Sequence, residues 1–217
     1  PLTIGFANHK DFKCYSIVDE RSAAFFGLGV AQQTQKPVVL TCTSGSALLN
    51  YYPAIAEAFY SGIPLVVISA DRPRHLIDIG DGQTIQQENV FKNHSLFNAN
   101  LVDDANLIEE NANVIAQALR TSINYKGPVH INVPFDEPLY YTTDKLLIST
   151  PKIFTEDFNK DSEHINFEKL AQVWNASKKK MVLVGSNYPN FLLQKQLSEL
   201  VNDGATLVLT ETTSNLH

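Results

Sequence analysis

The stretch Ser16-Ile-Val-Asp-Glu-Arg21, continued by Ser22-Ala-Ala-Phe-Phe-Gly-Leu-Gly29, joins a predicted strand to a predicted helix. The β-branched residues at its start predict a strand over Tyr15–Val18, and the run of small and apolar residues predicts the helix. Asp19 and Glu20 would then lie where a strand ends and a helix begins, which is where open α/β sheets bind their ligands. The alternative is purely structural, because carboxylates also stabilise a helix N-terminus.

Small residues make one face of this helix smooth. They are Ala23, Ala24, Gly27 and Gly29. Because glycine is a poor helix former, its use here predicts close approach of another backbone or of a flat ligand.

Apolar strands alternate with helices through the rest of the first 145 residues. Three continuous apolar runs predict strands buried on both faces of a parallel sheet, at 37–41, 64–69 and 128–133. A short strand near Leu101 and a helix capped by Asn111 are also predicted. Pro53 lies inside the helical pattern of 47–60 and predicts a bend or a restart there.

A second α/β unit follows a segment without periodicity. We predict a first domain over 1–145, a linker over 146–163 and a second domain over 164–217. The second contains a helix capped by Asn166, a helix over Phe191–Val201 and two strands, Met181–Val184 and Thr206–Thr210. Two strands and two helices cannot close a core alone, so we expect this domain to be incomplete.

Composition excludes several classes of protein. The chain has 217 residues and a net charge of -6 with no basic stripe, which argues against a nucleic-acid partner. No apolar run is long enough for a membrane span, and no signal peptide is recognisable. Cys14 and Cys42, each in a predicted strand, indicate reduced thiols of a cytoplasmic protein. The start on Pro1, without a methionine, leads us to expect a chain cut at both ends.

The segment Thr43-Ser44-Gly45-Ser46 is a predicted strand-to-helix turn. Ser44 or Ser46 could simply cap the helix, or the backbone N–H groups could hold a polar heterocycle or an anion. A serine nucleophile is not supported, because the second glycine of a hydrolase elbow is missing.

The polar loop from Ala70 to Gln87 contains two of the four arginines, Arg72 and Arg74. Arginine is the preferred partner of a carboxylate ligand, although a structural Asp71–Arg72 pair is the alternative. The Gly80-Asp-Gly82 segment is not interpreted as a metal motif, because the required pair of asparagines would come too early. We therefore predict no metal ligand in this chain.

These motifs together resemble a known family. The resemblance covers about residues 1–140, and it rests on the segments 18–21, 43–46, 50–53, 70–73 with 78, 80 and 83, and 130–139. The chain resembles the N-terminal part of the 2-succinyl-5-enolpyruvyl-6-hydroxy-3-cyclohexene-1-carboxylate synthase family, which are thiamine-diphosphate enzymes of menaquinone biosynthesis. Asp71-Arg72-Pro73 followed by Gln83 separates this family from acetolactate-synthase relatives.

The resemblance implies a fold and a set of site residues. The fold would be α/β, with a parallel-sheet pyrimidine-binding domain that lacks its start, followed by the beginning of a Rossmann-like central domain. Glu20 would be catalytic and would bond N1′ of the cofactor's aminopyrimidine ring. Thr43, Ser44 and Gly45 would flank that ring, and Arg72 and Gln83 would bind substrate carboxylates.

The resemblance also implies an activity for the full-length protein. It would decarboxylate 2-oxoglutarate on thiamine diphosphate and add the succinyl unit to isochorismate. The diphosphate and Mg²⁺ would bind in a domain outside this chain, a homodimer or homotetramer is expected, and the fragment alone should be inactive. Gly82 stands where some relatives carry Asn, and Arg74 where relatives often carry Pro or His, so no role is transferred to either.

Two other functions remain open from sequence. An acetolactate-synthase-like enzyme would have a pocket without the polar pair Arg72 and Gln83. A non-catalytic α/β binding module would bury Glu20 in a closed core with no facing cleft.

Overall fold

The chain forms two compact units, Pro1–Glu156 and Asp157–His217. The computed structural model describes residues 1–137, 139 and 165–216. The predicted linker, 146–163, and the predicted domain borders lie outside the described residues and stay predictions.

A parallel four-stranded sheet is the centre of the first unit. Its strands are β1 (Val38–Cys42), β2 (Leu65–Asp71), β3 (Phe97–Asn100) and β4 (Val129–Pro134), in the order β1-β2-β4-β3. All three pairings are parallel, and the central strand β2 is buried along most of its length. The predicted parallel α/β sheet is confirmed, and its carboxyl ends all meet at one edge.

The described part of this unit contains α1 (Leu2–Asn8), α2 (Glu20–Thr34), α3 (Tyr52–Ser61) and α4 (Ile108–Tyr125). α2, α3 and α4 contribute buried residues, whereas α1 has none. Successive residues of β2 point to opposite faces, so Leu65 and Val67 join a core with α2 and α3, and Val66 joins a second core with α4. A 3₁₀ helix over Gly45–Tyr51 precedes α3, and Pro53 lies in the first turn of α3. The predicted restart at Pro53 is therefore confirmed.

The smooth face of α2 packs on β1. Ala24, Gly27 and Ala31 are buried, and a Cβ on Gly27 would lie only 2.8 Å from Leu40 Cδ2. A Cβ on Gly29 would have no neighbour within 4 Å. Close approach therefore explains Gly27, but the neighbour is a side chain of the sheet and not a ligand.

The predicted strand at Tyr15–Val18 is wrong. This segment has no strand assignment, and Val18 is 97% exposed. None of the described strands pairs with it, and an extended segment without a hydrogen-bonded neighbour is not a stable strand. Cys14 is consequently exposed and outside any strand, whereas Cys42 lies in β1 and is half-buried.

Two further boundaries differ from the prediction. β3 ends at Asn100, before the predicted position near Leu101, and α4 begins at Ile108, so Asn111 is not its cap. The Asn111 amide instead donates to Val102 O at 2.7 Å and accepts from Val102 N at 3.1 Å. Asn111 thus holds the segment after β3 rather than the helix end.

The second unit contains α5 (Phe167–Ala176), β5 (Lys180–Val184), α6 (Phe191–Val201) and β6 (Thr206–Thr210), and β5 pairs with β6 in parallel. The Asn166 side chain accepts from Lys169 N at 2.8 Å, so the predicted cap is confirmed. Apolar side chains of both strands remain exposed, namely Met181, Leu183, Leu207 and Leu209. The expectation that this second domain is incomplete stays a prediction.

No helix in the described ranges is both long enough and apolar enough to cross a lipid bilayer.

Candidate functional site

Asp19 and Glu20 have separate roles at the start of α2. The Asp19 carboxylate accepts a hydrogen bond from Ser22 N at 2.7 Å and caps the helix. That hydrogen bond lowers the pKa of Asp19. Glu20 is the first residue of α2 and is half-exposed. The alternative that these carboxylates only stabilise the helix N-terminus therefore applies to Asp19, because Asp19 and not Glu20 caps the helix.

Glu20 lies near the carboxyl end of β1. Burial first, and then the charge of Glu20, raise the pKa of the Cys42 thiol to about 12. Burial and the charges of Cys42 and Glu20 likewise raise the pKa of Tyr51, whose hydroxyl donates to Thr41 O at 2.8 Å. The predicted strand before Glu20 does not form. The Glu20 carboxyl group nevertheless lies close to the sheet edge that was predicted to hold the site.

The turn after β1 packs against Gln83. Gly45 has φ +87°, and a Cβ on Gly45 would lie 3.0 Å from the carbonyl oxygen of Gln83. Ser44 is buried and precedes the 3₁₀ helix, but its side chain makes no capping hydrogen bond. The structure therefore brings the predicted cofactor turn, Thr43 to Gly45, together with the predicted substrate residue Gln83.

Gln87 joins this turn to the two central strands, and sequence analysis did not identify it. Its side chain is fully buried, and its Oε1 accepts a hydrogen bond from Gly45 N at 2.7 Å. Its Nε2 donates to Asn132 Oδ1 at 2.9 Å and to Ala70 O at 3.0 Å. One amide thus contacts the turn after β1 and the ends of β2 and β4.

A buried row of polar side chains continues from Gln87 along one face of the sheet. Ser69 Oγ donates to Asn132 Oδ1 at 2.9 Å and lies 2.8 Å from His130 Nε2. Asn132 Nδ2 donates to Asp71 Oδ2 at 2.7 Å. Polar residues at alternate positions of two apolar strands are the sequence signal that predicts such a row, because alternate residues share a face.

Burial sets the charge of two members of this row. It lowers the pKa of His130 to about 4, so the ring is neutral near neutral pH. Since the Ser69 hydroxyl proton goes to Asn132, the network assigns Nε2 as the protonated nitrogen of His130. Its Nδ1 is then an acceptor with no partner among the described residues. Burial also raises the pKa of Asp71, against the opposing hydrogen bonds from Asn132 and from Arg72 N.

Arg72 contacts carboxylates other than the predicted one. Asp71 accepts a hydrogen bond from the Arg72 backbone N–H at 2.8 Å, so the predicted structural pair is not a side-chain pair. The guanidinium instead lies 3.3 Å from Glu137 Oε1 and 3.7 Å from Asp81 Oδ2. Arg72 is therefore held near two carboxylates while remaining partly accessible.

A cleft of about 340 Å³ lies beside Arg72 at the ends of β2, β3 and β4. Its lining includes Arg72, His75, Asn100, Asp103 and Asn132, but not Glu20 or Gln83. Arg72 therefore lines the cleft, whereas Gln83 lies against the Gly45 turn. The predicted pair Arg72 and Gln83 is not brought together within this cleft.

Arg74 makes its own ion pair. Its Nη2 lies 2.9 Å and 3.1 Å from the two carboxylate oxygens of Glu88, at an exposed position.

Within the described ranges, no cluster of three histidine, cysteine, aspartate or glutamate side chains could hold a metal ion.

Comparison with known proteins gives this arrangement a context. Residues 1–96 match the family described as thiamine pyrophosphate enzyme, N-terminal TPP binding domain. The chain is 59% identical to the 2-succinyl-5-enolpyruvyl-6-hydroxy-3-cyclohexene-1-carboxylate synthase of Flavobacterium johnsoniae, over 100% of this chain and 39% of that protein. The same enzyme of Christiangramia forsetii is 52% identical, over 100% of this chain and 40% of that protein. The chain thus spans about 39% of the length of such relatives.

Residues 1–96, which include Glu20, β1 and the Thr43–Gly45 turn, are thus similar to the N-terminal domain of the thiamine pyrophosphate enzymes. The chain is related over its whole length to the 2-succinyl-5-enolpyruvyl-6-hydroxy-3-cyclohexene-1-carboxylate synthases. The family resemblance seen in the sequence is confirmed.

Proposed function

We propose that this chain supplies the pyrimidine-binding part of a thiamine-diphosphate-dependent synthase that uses 2-oxoglutarate and isochorismate. The observation that carries the proposal is the 59% identity to such synthases across the whole chain. The product would be 2-succinyl-5-enolpyruvyl-6-hydroxy-3-cyclohexene-1-carboxylate, formed after loss of CO₂ from 2-oxoglutarate.

The residues near Glu20 fit an aminopyrimidine ring. A carboxyl group is needed at N1′, and Glu20 is half-exposed, with Asp19 occupying the cap position before it. Thr43 is exposed at the end of β1, where it and the backbone of Ser44 and Gly45 would flank the ring. When bound, the cofactor would supply the electron sink for decarboxylation, as thiamine cofactors do.

Glu20 would hold and return a proton at the ring nitrogen. A positioned carboxyl group within hydrogen-bond reach contributes about 10²–10⁴-fold to such a proton transfer. The Tyr51 hydroxyl is committed to Thr41 O at 2.8 Å. In this proposal Glu20, and not Tyr51, is the proton-transferring group.

Arg72 would bind a substrate carboxylate. Both proposed substrates are dicarboxylates, and a guanidinium offers them two parallel N–H donors. Its present partners, Glu137 and Asp81, lie at 3.3 Å and 3.7 Å in partly exposed pairs. Such pairs contribute only about 0–1 kcal/mol, so a substrate carboxylate can displace them. Gln83 would offer its exposed amide from the loop that packs on Gly45.

Further parts of the proposal concern the complete protein. We place the diphosphate and Mg²⁺ on residues outside this chain, and we expect a cytoplasmic homodimer or homotetramer. The chain alone would then be inactive.

The half-exposed position of Glu20 counts against the non-catalytic module, which required Glu20 in a closed core. The whole-chain identity to the synthases counts against the acetolactate-synthase-like alternative.

The proposal is tested with the full-length protein, thiamine diphosphate and Mg²⁺. We expect CO₂ release from 2-oxoglutarate and a product that requires isochorismate, identified by mass spectrometry. Consumption of pyruvate with no isochorismate-dependent product would support the acetolactate-synthase-like alternative instead. Absence of cofactor binding would support a non-catalytic module.

A further inference from the structure

Gln87 connects the two parts of the proposed site. Its amide is fully buried, and Gly45 and Asn132, its partners, are 42 and 45 residues away in the sequence. The acceptor end of the amide contacts the cofactor turn, and the donor end contacts the strand ends that lead into the Arg72 loop.

The arrangement needs both ends of an amide. Oε1 accepts from Gly45 N at 2.7 Å, whereas Nε2 donates to Asn132 Oδ1 at 2.9 Å. A carboxylate would keep the first contact and lose the second, because it has no donor. An apolar side chain of the same length would lose both and leave buried polar groups unpaired.

The contacts continue to Arg72 without a gap. Asn132 Nδ2 donates to Asp71 Oδ2 at 2.7 Å, and Asp71 Oδ1 accepts from Arg72 N at 2.8 Å. A displaced Gln87 therefore disturbs the backbone of Gly45 on one side and of Arg72 on the other.

We propose that Gln87 is a positioning residue. It fixes the Thr43–Gly45 turn, which would bind the cofactor, relative to Asp71–Arg72 at the start of the loop that would bind 2-oxoglutarate. This proposal rests on the proposed function of the site. Gln87 contacts neither ligand in it, and acts through Gly45 and through Asn132 and Asp71.

Gln87→Met in the full-length synthase tests the proposal, with Ser122→Ala as the control. Ser122 is also fully buried, and its Oγ donates to Gly127 O at 2.8 Å before β4 begins, at the opposite edge of the sheet. Both proteins are compared below their melting temperatures, per mole of folded enzyme. We expect Gln87→Met to lower kcat/KM for 2-oxoglutarate by about 10²-fold, as for a small misplacement of reacting groups. We also expect it to weaken thiamine diphosphate binding in calorimetry. Ser122→Ala should lower only the melting temperature.

Gln87→Glu supplies a second measurement if Gln87→Met does not fold. Below the pKa of the introduced carboxyl group, its O–H can still donate toward Asn132, and above it no donor remains. We expect kcat/KM of this variant, divided by the wild-type value, to fall as the pH rises.

The two proposals fail in different ways. The positioning role would be overturned if Gln87→Met kept the wild-type kinetic constants and cofactor affinity. It would also be overturned if the ratio of kcat/KM between Gln87→Glu and the wild type did not change with pH. A wild-type protein that binds the cofactor and makes no product would overturn the proposed reaction, and the Gln87 role would then be decided by cofactor affinity alone.

Discussion

Gly45 and Gln83 are in backbone contact, with room for no side chain between them. A Cβ on Gly45 would lie 3.0 Å from the Gln83 carbonyl oxygen, and Gly45 also has φ +87°. The turn after β1 and the loop after β2 are thereby held against each other, and the proposed cofactor and substrate residues depend on that contact.

Gly45→Ala should therefore destabilise the protein. The positive φ alone costs of order 1–3 kcal/mol for a residue with a side chain, and the contact with Gln83 adds to it. Gly29→Ala is the control, since a Cβ there meets nothing within 4 Å in the helix α2. We expect Gly29→Ala to stabilise by roughly 0.5–1 kcal/mol in urea unfolding. Equal effects of the two substitutions would contradict the strain at Gly45.

Glu20→Gln in the full-length enzyme should sharply slow exchange of the cofactor's C2 proton, because the amide cannot take up or return a proton. The measurement is exchange of that proton with deuterium by NMR. Asp19→Ala is the matched control, because Asp19 caps the same helix end through Ser22 N. It should lower the melting temperature and leave exchange unchanged. Unaltered exchange in Glu20→Gln would remove the proposed catalytic role.

Arg72→Lys should lower kcat/KM for 2-oxoglutarate. The corresponding loss of transition-state stabilisation should be about 1–3 kcal/mol, as for a hydrogen bond to a charged group. The melting temperature should change little. The competing explanation is that Arg72 stabilises the loop after β2 through its ion pair with Glu137, which lies 3.3 Å away. A double-mutant cycle with Glu137→Gln separates the two. Strong coupling in unfolding free energy with unchanged kinetics would favour the structural explanation.

Stability should fall on mild acidification because of His130. Burial lowers the pKa of His130 from 6.5 to about 4, so the unfolded chain binds a proton over a pH range in which the native ring stays neutral. The stability that comes from keeping His130 neutral in the native state is therefore fully present above about pH 6.5. Between that pH and pH 4 the free energy of unfolding falls by about 3 kcal/mol. Asp71 works in the opposite direction, since burial raises its pKa. Urea unfolding across this range should show a shallower pH dependence for His130→Asn, and an unchanged slope would refute the assignment.

The 217-residue chain alone should show no measurable thiamine diphosphate binding in calorimetry. The diphosphate and its metal carry the largest charges of the cofactor complex, and we place their ligands outside this chain. The full-length protein is the positive comparison. Mg²⁺-dependent binding in the micromolar range by the 217-residue chain would show that the site is misplaced.

Local patterns predicted much of the architecture. Continuous apolar runs identified the buried parallel strands β1, β2 and β4, and Asn166 was identified as a cap from residue type and position. Such features depend on neighbours within a few residues, and a linear sequence displays them directly. The same patterning indicated a strand at Tyr15–Val18, which is wrong because a strand also needs a distant partner.

The sequence by itself therefore determined the order of helices and strands, the parallel sheet and the edge at which the candidate residues meet. Only the tertiary structure decided which side chains contact one another. Gln87 contacts Gly45, 42 residues away, and Arg72 lies 3.3 Å from Glu137, 65 residues away. A side-chain amide or guanidinium pairs with whatever complementary group the packed strands and loops bring within about 3 Å. That choice is set by the folded backbone and leaves no periodic signal in the chain.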